Sequence, residues 1–325
     1  MGRRATITDV AARAGVSRTT VSLVIADADR IPDATKLRVR AAMGELGYVY
    51  NRAARAARVG RSSLIGLLLT DIRNPFFADL TMGVERAASG LGLSVLQGYS
   101  HADPEVEARL ARSMAEQMLD GLILLPTPSS VASRLMAEAS SQPVVQLLRR
   151  VNGLESDFVG VDNVATGALM GEHLAERGIA SALLVADYES VQFRDRRAGM
   201  VSALPGGVRP VLGGARVLAD ALADGVPESV VTYNDTHLLA VLHLLRDRGL
   251  AAGERVAVAS FDNTHIAEDA APGITSVDLH AGRLAEIAVE RLRVRLAEPD
   301  TAPFETLVPA VLVARESTLG NAGGG

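Results

Sequence analysis

The 325-residue chain contains no cysteine, which excludes a disulfide framework and every metal site built on thiolate, and suits a reducing cytoplasm. Lysine occurs once, as Lys36 near the amino end. A phosphate-loop lysine or a Schiff-base lysine in a cleft of the remaining chain is therefore excluded. No run of about 18 apolar residues occurs, and no apolar core of roughly 7–15 residues follows Met1-Gly2-Arg3-Arg4-Ala5-Thr6. The expectation is a chain that stays in the cytoplasm and meets no membrane. The six histidines, His101, His173, His237, His243, His265 and His280, form no His-Glu-x-x-His pair, and Gly-x-Ser-x-Gly is absent. Gly213-Gly214 opens no dinucleotide fingerprint. No metal, cofactor or catalytic residue is expected, and an enzyme on a doubly wound sheet is disfavoured.

What is present is a chain long enough for a small module and a larger body. Apolar residues make up 48% and charged residues 22% of it, the balance of a globular protein. Its net charge of −5 hides a division. Residues 1–62 hold 12 Arg and Lys against 5 Asp and Glu, net +7, and the remainder is net −12. A basic head on an acidic body is the asymmetry expected when only the head meets phosphate.

That head reads as three short helices. Thr8 is the expected cap of a helix ending at Gly15, and Ser17 caps a second helix, Arg18 to Ile25, after a turn of only Gly15 and Val16. With Val10, Ala14, Val21 and Val24 inward, the pair makes a helix-turn-helix whose second helix suits a DNA major groove. A third helix after Pro32 and Asp33 turns Val39, Ala42, Met43 and Leu46 to one face and stops at Gly47. The next stretch, from Asn51 to Ser62, carries Arg52, Arg55, Arg58 and Arg61 among helix-forming alanines. From Ser63 onward apolar runs (Leu64 to Thr70, Leu93 to Gly98, Leu122 to Leu125) alternate with amphipathic stretches (Phe76 to Leu91, Glu105 to Met118). That rhythm predicts parallel sheet covered by helices. A second set begins near Thr166, with strands expected at Ala182 to Ala186, Val230 to Tyr233 and Val256 to Phe261.

Ala5-Thr6-Ile7-Thr8-Asp9-Val10-Ala11, Gly15-Val16-Ser17 and Thr20-Val21-Ser22 resemble the LacI/GalR family, the lactose-repressor relatives. Later landmarks agree in order: Glu45-Leu46-Gly47-Tyr48, Ile65-Gly66-Leu67, Asn74-Pro75-Phe76-Phe77, Asp120-Gly121-Leu122-Ile123, Asp162-Asn163, Asn234-Asp235 and Ser260-Phe261-Asp262-Asn263. The resemblance implies an all-α helix-turn-helix DNA-binding module (1–50), a hinge helix (51–62) and an α/β two-lobed, periplasmic-binding-protein-like (type I) effector domain (63–325). It implies a cytoplasmic, nucleoid-associated homodimer that binds pseudo-palindromic operator DNA, represses transcription and responds to a sugar-like effector.

By the same resemblance Arg18, Thr19, Ser22 and Leu23 read base edges. Thr6, Ser17, Thr35 and Asn51 lie near phosphates, and Ile7 joins the DNA-contacting set. Leu23 stands where an Arg is usual in the family, so apolar contact, for instance to a thymine methyl, replaces a guanine fork. In the hinge, which the resemblance folds in the minor groove, Arg52, Arg55 and Arg58 are expected at phosphates, and Ala54 and Ala57 join the DNA-contacting set. Ala57 occupies the place of a wedging Leu, so weaker kinking is expected. The implied effector positions are Asn74, Phe76, Arg149, Arg196, Asn234 and Asp262. An arginine fork, amides and a carboxylate at strand ends hydrogen-bond vicinal hydroxyls, and Phe76 offers a face to a ring. Taken singly, Asp262 and Asn234 have a plainer role as helix caps, and Arg196 as one half of a surface ion pair.

Leu148 and Leu279 stand where the family often has a pocket Asp and Gln. The stretch from Arg196 to Asn234 is shorter than typical, removing part of a strand and helix. These departures keep open a regulator without small-molecule sensing. A solute-binding protein is opposed by the helix-turn-helix. The glycine-rich carboxyl end, Leu319 to Gly325, carries no apolar heptads, so no tetramerising coiled coil and an unstructured tail are expected.

Overall fold

The computed structural model describes residues 5–25, 29–50, 61–131, 135 and 142–319. The chain divides into two compact units, 1–62 and 63–325. In the first, α1 (Ile7–Ala14) starts two residues earlier than Thr8 suggests. Its cap is Thr6, because Asp9 three residues on completes a reciprocal pair. Asp9 N–H donates to Thr6 Oγ1 (3.3 Å), and the Asp9 carboxylate accepts from Thr6 N–H (2.8 Å) and hydroxyl (2.7 Å). Gly15, at φ 66°, ends α1 in the left-handed conformation. Ser17 Oγ then accepts from Thr20 N–H (3.0 Å) and opens α2 (Arg18–Ile25).

The third helix, α3 (Asp33–Glu45), closes a small core of Val10, Ala14, Val21, Val24, Val39 and Ala42. Leu46, expected on the inward face, lies just past the helix end and is 36% exposed, while Met43 packs inward. An ion pair from Arg13 to Glu45 (2.5 Å) ties α1 to α3. The expected hinge helix, with Asn51, Arg52, Ala54, Arg55, Ala57 and Arg58, lies outside the described residues, as does the tail from residue 320.

The second unit opens with β1 (Leu64–Leu69), an unbroken apolar run buried along nearly its whole length, as a central strand of a two-faced parallel sheet requires. The chain continues through α4 (Pro75–Gly90), β2 (Ser94–Tyr99), α5 (Pro104–Glu116), β3 (Gly121–Leu124), β4 (Val144–Leu147) and β5 (Asp157–Gly160). It then enters a second lobe: α6 (Asn163–Glu176), β6 (Ser181–Ala186), α7 (Val191–Ala203), β7 (Gly207–Leu212), α8 (Gly214–Ala221), β8 (Ser229–Thr232), α9 (Leu238–Asp247), β9 (Ala257–Phe261), α10 (His265–Asp269) and β10 (Thr275–Asp278). Next α11 (Ala281–Ala297) returns to the first lobe and packs on α4 and on β3 to β5. Two short strands, β11 (Glu305–Leu307) and β12 (Val311–Val313), and α12 (Glu316–Leu319) complete the chain.

The sheets run β11-β5-β4-β3-β1-β2 and β12-β10-β9-β8-β6-β7, parallel except where β12 joins β10. The chain therefore crosses between lobes three times: after β5, after β10 and between β11 and β12. The stretch expected to be shorter than typical holds one strand and one short helix. All six residues of β7 pair with β6, and α8 follows as an eight-residue helix.

Two contacts matter for what the lobes hold. Helices α6 and α7 cross at Gly167 and Gly199. A Cβ on Gly167 would lie 2.0 Å from the Arg196 carbonyl oxygen, and one on Gly199 equally close to that of Val164. Only glycine permits this approach, which fixes the height of Arg196. In the first lobe the fully buried carboxylate of Asp157 accepts from Arg291 (3.0 Å), Arg295 (2.5 Å) and Phe304 N–H (2.8 Å), anchoring α11 to β5.

Candidate DNA-reading face and interlobe cleft

In the amino-terminal unit, Val21 and Val24 turn α2 toward the core. Residues 18, 19, 22 and 23 recur at i, i+1, i+4 and i+5 and so share the opposite face. Arg18 and Thr19 are exposed there, and Ser22 and Leu23 are half-buried. Ser17 and Thr6 are exposed at the starts of α2 and α1, where helix dipoles favour phosphate. Thr35 is half-buried in the first turn of α3. Ile7 is half-buried and packs on the module's core.

In the second unit all six expected effector residues, Asn74, Phe76, Arg149, Arg196, Asn234 and Asp262, line one cavity of about 120 Å³ between the lobes. Asn74 follows β1, Arg149 follows β4, Asn234 follows β8 and Asp262 follows β9, each at a carboxyl end of a parallel strand, where such sheets bind ligands. Phe76 and Arg196 project from α4 and α7. Thr70, Asn163, Tyr188, Gln192 and Tyr233 complete the polar lining, and Leu148 and Leu279 are both in the wall. Leu148, Arg149, Val161, Asn163 and Gln192 also line an adjoining outer cavity of about 820 Å³, so the two spaces meet at these side chains.

Asn74 serves both lobes. Its Oδ1 accepts from Phe76 N–H (3.0 Å), capping α4, and its Nδ2 donates to Asp262 Oδ2 (2.8 Å) across the cleft. Asp262 is no helix cap: Thr264 accepts from Ile266 N–H and opens α10. Instead Asp262 is buried at φ 102°, a backbone strain of a kind that collects at binding sites. Asn234 does cap the following turn, accepting from Thr236 N–H (3.2 Å), while also lining the cavity. Arg196 makes no surface ion pair. It is 5% exposed, donates from Nε to Asn163 Oδ1 (3.0 Å) and from Nη1 to the Tyr233 carbonyl (3.1 Å), and lies 4.7 Å from the centres of the Tyr233 and Phe261 rings. Arg149 Nη1 donates to the Pro126 carbonyl, while its Nε is buried without a partner among the described residues.

Burial pushes the Asp262 carboxyl up to about 7, helped by the nearby charges of Asp235 and Asp278. Arg196 and the Asn74 hydrogen bond oppose the rise. Behind it, burial also raises Asp235, against hydrogen bonds from Ser260 and Thr264. The floor of the cleft therefore holds carboxyls that resist ionisation.

Sequence reasoning missed Gln192 and Asn163. Gln192 lies four residues before Arg196 and so shares its helix face, a signal that was readable. Asn163 follows the Asp162 that caps α6, and only the fold brings it to Arg196. Among the described residues no group of three His, Asp or Glu side chains is placed to hold a metal, and no helix is long and apolar enough to cross a membrane.

Residues 6–51 match the family model of bacterial regulatory proteins, lacI family, and residues 171–318 match that of the periplasmic binding protein-like domain. The HTH-type transcriptional regulator DegA of Bacillus subtilis is 30% identical, over 97% of this chain and 98% of its own. Among solved structures, the transcriptional regulator CelR–cellobiose complex aligns with 97% of this chain and 100% of its own, at TM-score 0.68 and 28% identity. The lac repressor dimer bound to operator and an anti-inducer aligns with 98% of this chain and 100% of its own, at TM-score 0.82 and 24% identity, a likeness of fold.

Proposed function

The chain belongs to the LacI family of bacterial regulatory proteins, and from that premise we propose that it is a homodimeric repressor of operator DNA, controlled by a sugar-like molecule held between its lobes. The observation that carries the proposal is convergence. Asn74, Phe76 and Arg149 from one lobe, and Arg196, Asn234 and Asp262 from the other, line a single cavity in a chain that also carries a helix-turn-helix.

In this reading Arg18, Thr19, Ser22 and Leu23 meet base edges, while Thr6, Ile7, Ser17 and Thr35 sit along the backbone, with Asn51, Arg52, Ala54, Arg55, Ala57 and Arg58 beyond them. A single module reads too few bases for a unique address, so two copies related by a two-fold axis read a pseudo-palindrome. A ligand that favours one arrangement of the lobes shifts DNA affinity through its differential binding. The cleft supports recognition rather than turnover, since Asn74 holds Asp262 and Asn163 holds Arg196 in place to meet a ligand. The protein acts at the nucleoid, in the cytoplasm.

Leu148 and Leu279 favour a second reading, a DNA binder that no longer senses a small molecule. The buried atoms of Arg149 and Gln192 in the same wall, partnerless among the described residues, favour the first, because a ligand can supply what the protein does not.

The test is to mix the full-length protein with sheared genomic DNA of its source at about 150 mM salt, where loose phosphate binding weakens, and sequence what is retained. An enriched pseudo-palindrome is expected. Retention without sequence preference, both alone and with the cell's small-molecule extract added, overturns the proposal.

A further inference from the structure

The junction of the two cavities holds a pair of unsatisfied groups that face each other in chemistry. Arg149, from the loop after β4 in the first lobe, has its Nε–H buried without an acceptor among the described residues. Gln192, from the first turn of α7 in the second lobe, has its Oε1 buried without a donor among the same residues. Both side chains line the inner and the outer cavity.

The charge of the inner cavity is unbalanced in the same place. Its ionisable lining consists of Arg149, Arg196, Asp262 and two tyrosines. The guanidinium of Arg196 is satisfied by Asn163, the Tyr233 carbonyl and two ring faces, and Asp262 lies close enough to attract it. Arg149 has no such set. Glu107 lies near enough to feel its charge, yet both carboxylate oxygens are taken, one by Thr127 N–H and the other by the Ser130 hydroxyl, and no ion pair joins them. Leu148 beside it offers nothing polar. Of the acids on the outer cavity, Asp162 caps α6, Glu305 pairs with Arg150 (2.5 Å), Glu189 is exposed, and Asp195 is half-buried on α7. Asp262, whose charged form burial disfavours, offsets at most one of the two guanidiniums and leaves the excess positive.

We propose that the effector is a polyhydroxylated anion whose carboxylate or phosphate accepts from Arg149 Nε and whose adjacent hydroxyl donates to Gln192 Oε1, bridging the lobes where the cavities meet. This rests on the reading of the cleft as the effector site and names the class of molecule it takes. One anionic oxygen fills the donor that is empty, and one hydroxyl fills the acceptor. The rest of the ligand extends into the outer cavity, since about 120 Å³ is less than the roughly 300 Å³ usual for a ligand pocket.

The experiment is a thermal-shift titration of the full-length protein with matched pairs: gluconate against glucitol, glucuronate against glucose, and glucose 6-phosphate against glucose. An acid is expected to raise Tm with concentration while its neutral partner does not, and the carboxylate and phosphate arms tell the two anions apart. Arg149→Gln then weakens that acid by on the order of 10- to 100-fold, the loss of one charge-assisted hydrogen bond. Gln192→Glu, which leaves Arg149 in place and sets a negative charge in the wall the acid would meet, abolishes the preference for the acid.

Equal stabilisation by a neutral partner, or stabilisation by none of the acids, overturns the inference. The effector reading itself stands if a neutral sugar or the cell's small-molecule extract shifts Tm, and falls with the inference if none of these does.

Discussion

Asn74 Nδ2 and Asp262 Oδ2 lie 2.8 Å apart, a hydrogen bond between residues 188 positions apart in sequence that joins the two lobes at the floor of the cleft. The same Asn74 caps α4 and the same Asp262 sits at φ 102°, so both ends are held by local structure as well as by each other. A ligand in the inner cavity replaces this bond or builds on it, and either event is felt by both lobes.

The first prediction concerns pH. Folded Asp262 titrates at about 7, above its ordinary value of 3.8. Between those values the native protein keeps a proton that the unfolded chain has released. Its contribution is fully present below about pH 4 and is lost as pH rises toward 7, after which it is level. Asp262→Asn keeps an acceptor for Asn74 and suits positive φ better. The variant should gain on the order of a few kcal/mol over the parent at pH 8, and the gap should close toward pH 4 in denaturant melts. A gap independent of pH would contradict this account of Asp262.

The second concerns the glycine crossing. Gly199→Ala puts a methyl against the Val164 carbonyl, where backbone must move. Overpacking of this kind costs about 1–3 kcal/mol and occasionally more. Tm should fall, and ligand binding should fall further than stability alone explains, because Arg196 shifts with α7. Unchanged Tm would show that α6 and α7 can part without loss.

The third concerns α1. Thr6→Ala removes the hydroxyl half of the capping box, leaving the backbone N–H on Asp9, and should cost about 1 kcal/mol, whereas Thr8→Ala should cost little. Hydrogen exchange separates them: protection of α1 amides drops in the first variant, and α11 is unaffected. Equal effects would return the cap to Thr8.

The fourth concerns base reading. Leu23→Arg places a guanidinium on the exposed face of α2, and site selection should then gain a guanine preference worth about 1–3 kcal/mol. The same logo from parent and variant would remove position 23 from the reading face.

These tests track how unevenly the fold was written in the residues. β1 was readable because Leu64 to Leu69 is apolar without a break, and α2 because Ser17 caps it and Val21 and Val24 recur on one side. β7 was not. It is an edge strand with Pro210 and exposed Arg209 inside it, so its pairing with β6, rather than its own pattern, makes it a strand. β11 and β12 have three residues each, too few for any periodicity. Leu46 looked inward by spacing, but the helix stopped one residue before it. In the cleft, positions 74, 76, 149, 196, 234 and 262 were reached through resemblance, and their convergence depends on three crossings between lobes that no local pattern encodes. Gln192 was within reach of helical spacing from Arg196. Asn163 was not, since its partner is 33 residues away.

The account stands most directly on coupling between the cleft and the DNA. With an operator recovered by enrichment and a ligand that raises Tm, fluorescence anisotropy gives operator affinity with and without ligand, and ligand affinity with and without operator. The account predicts a change of about 5- to 150-fold in operator affinity, and the same factor in the reciprocal measurement. A ligand that fills the cleft and leaves operator affinity unchanged would contradict it.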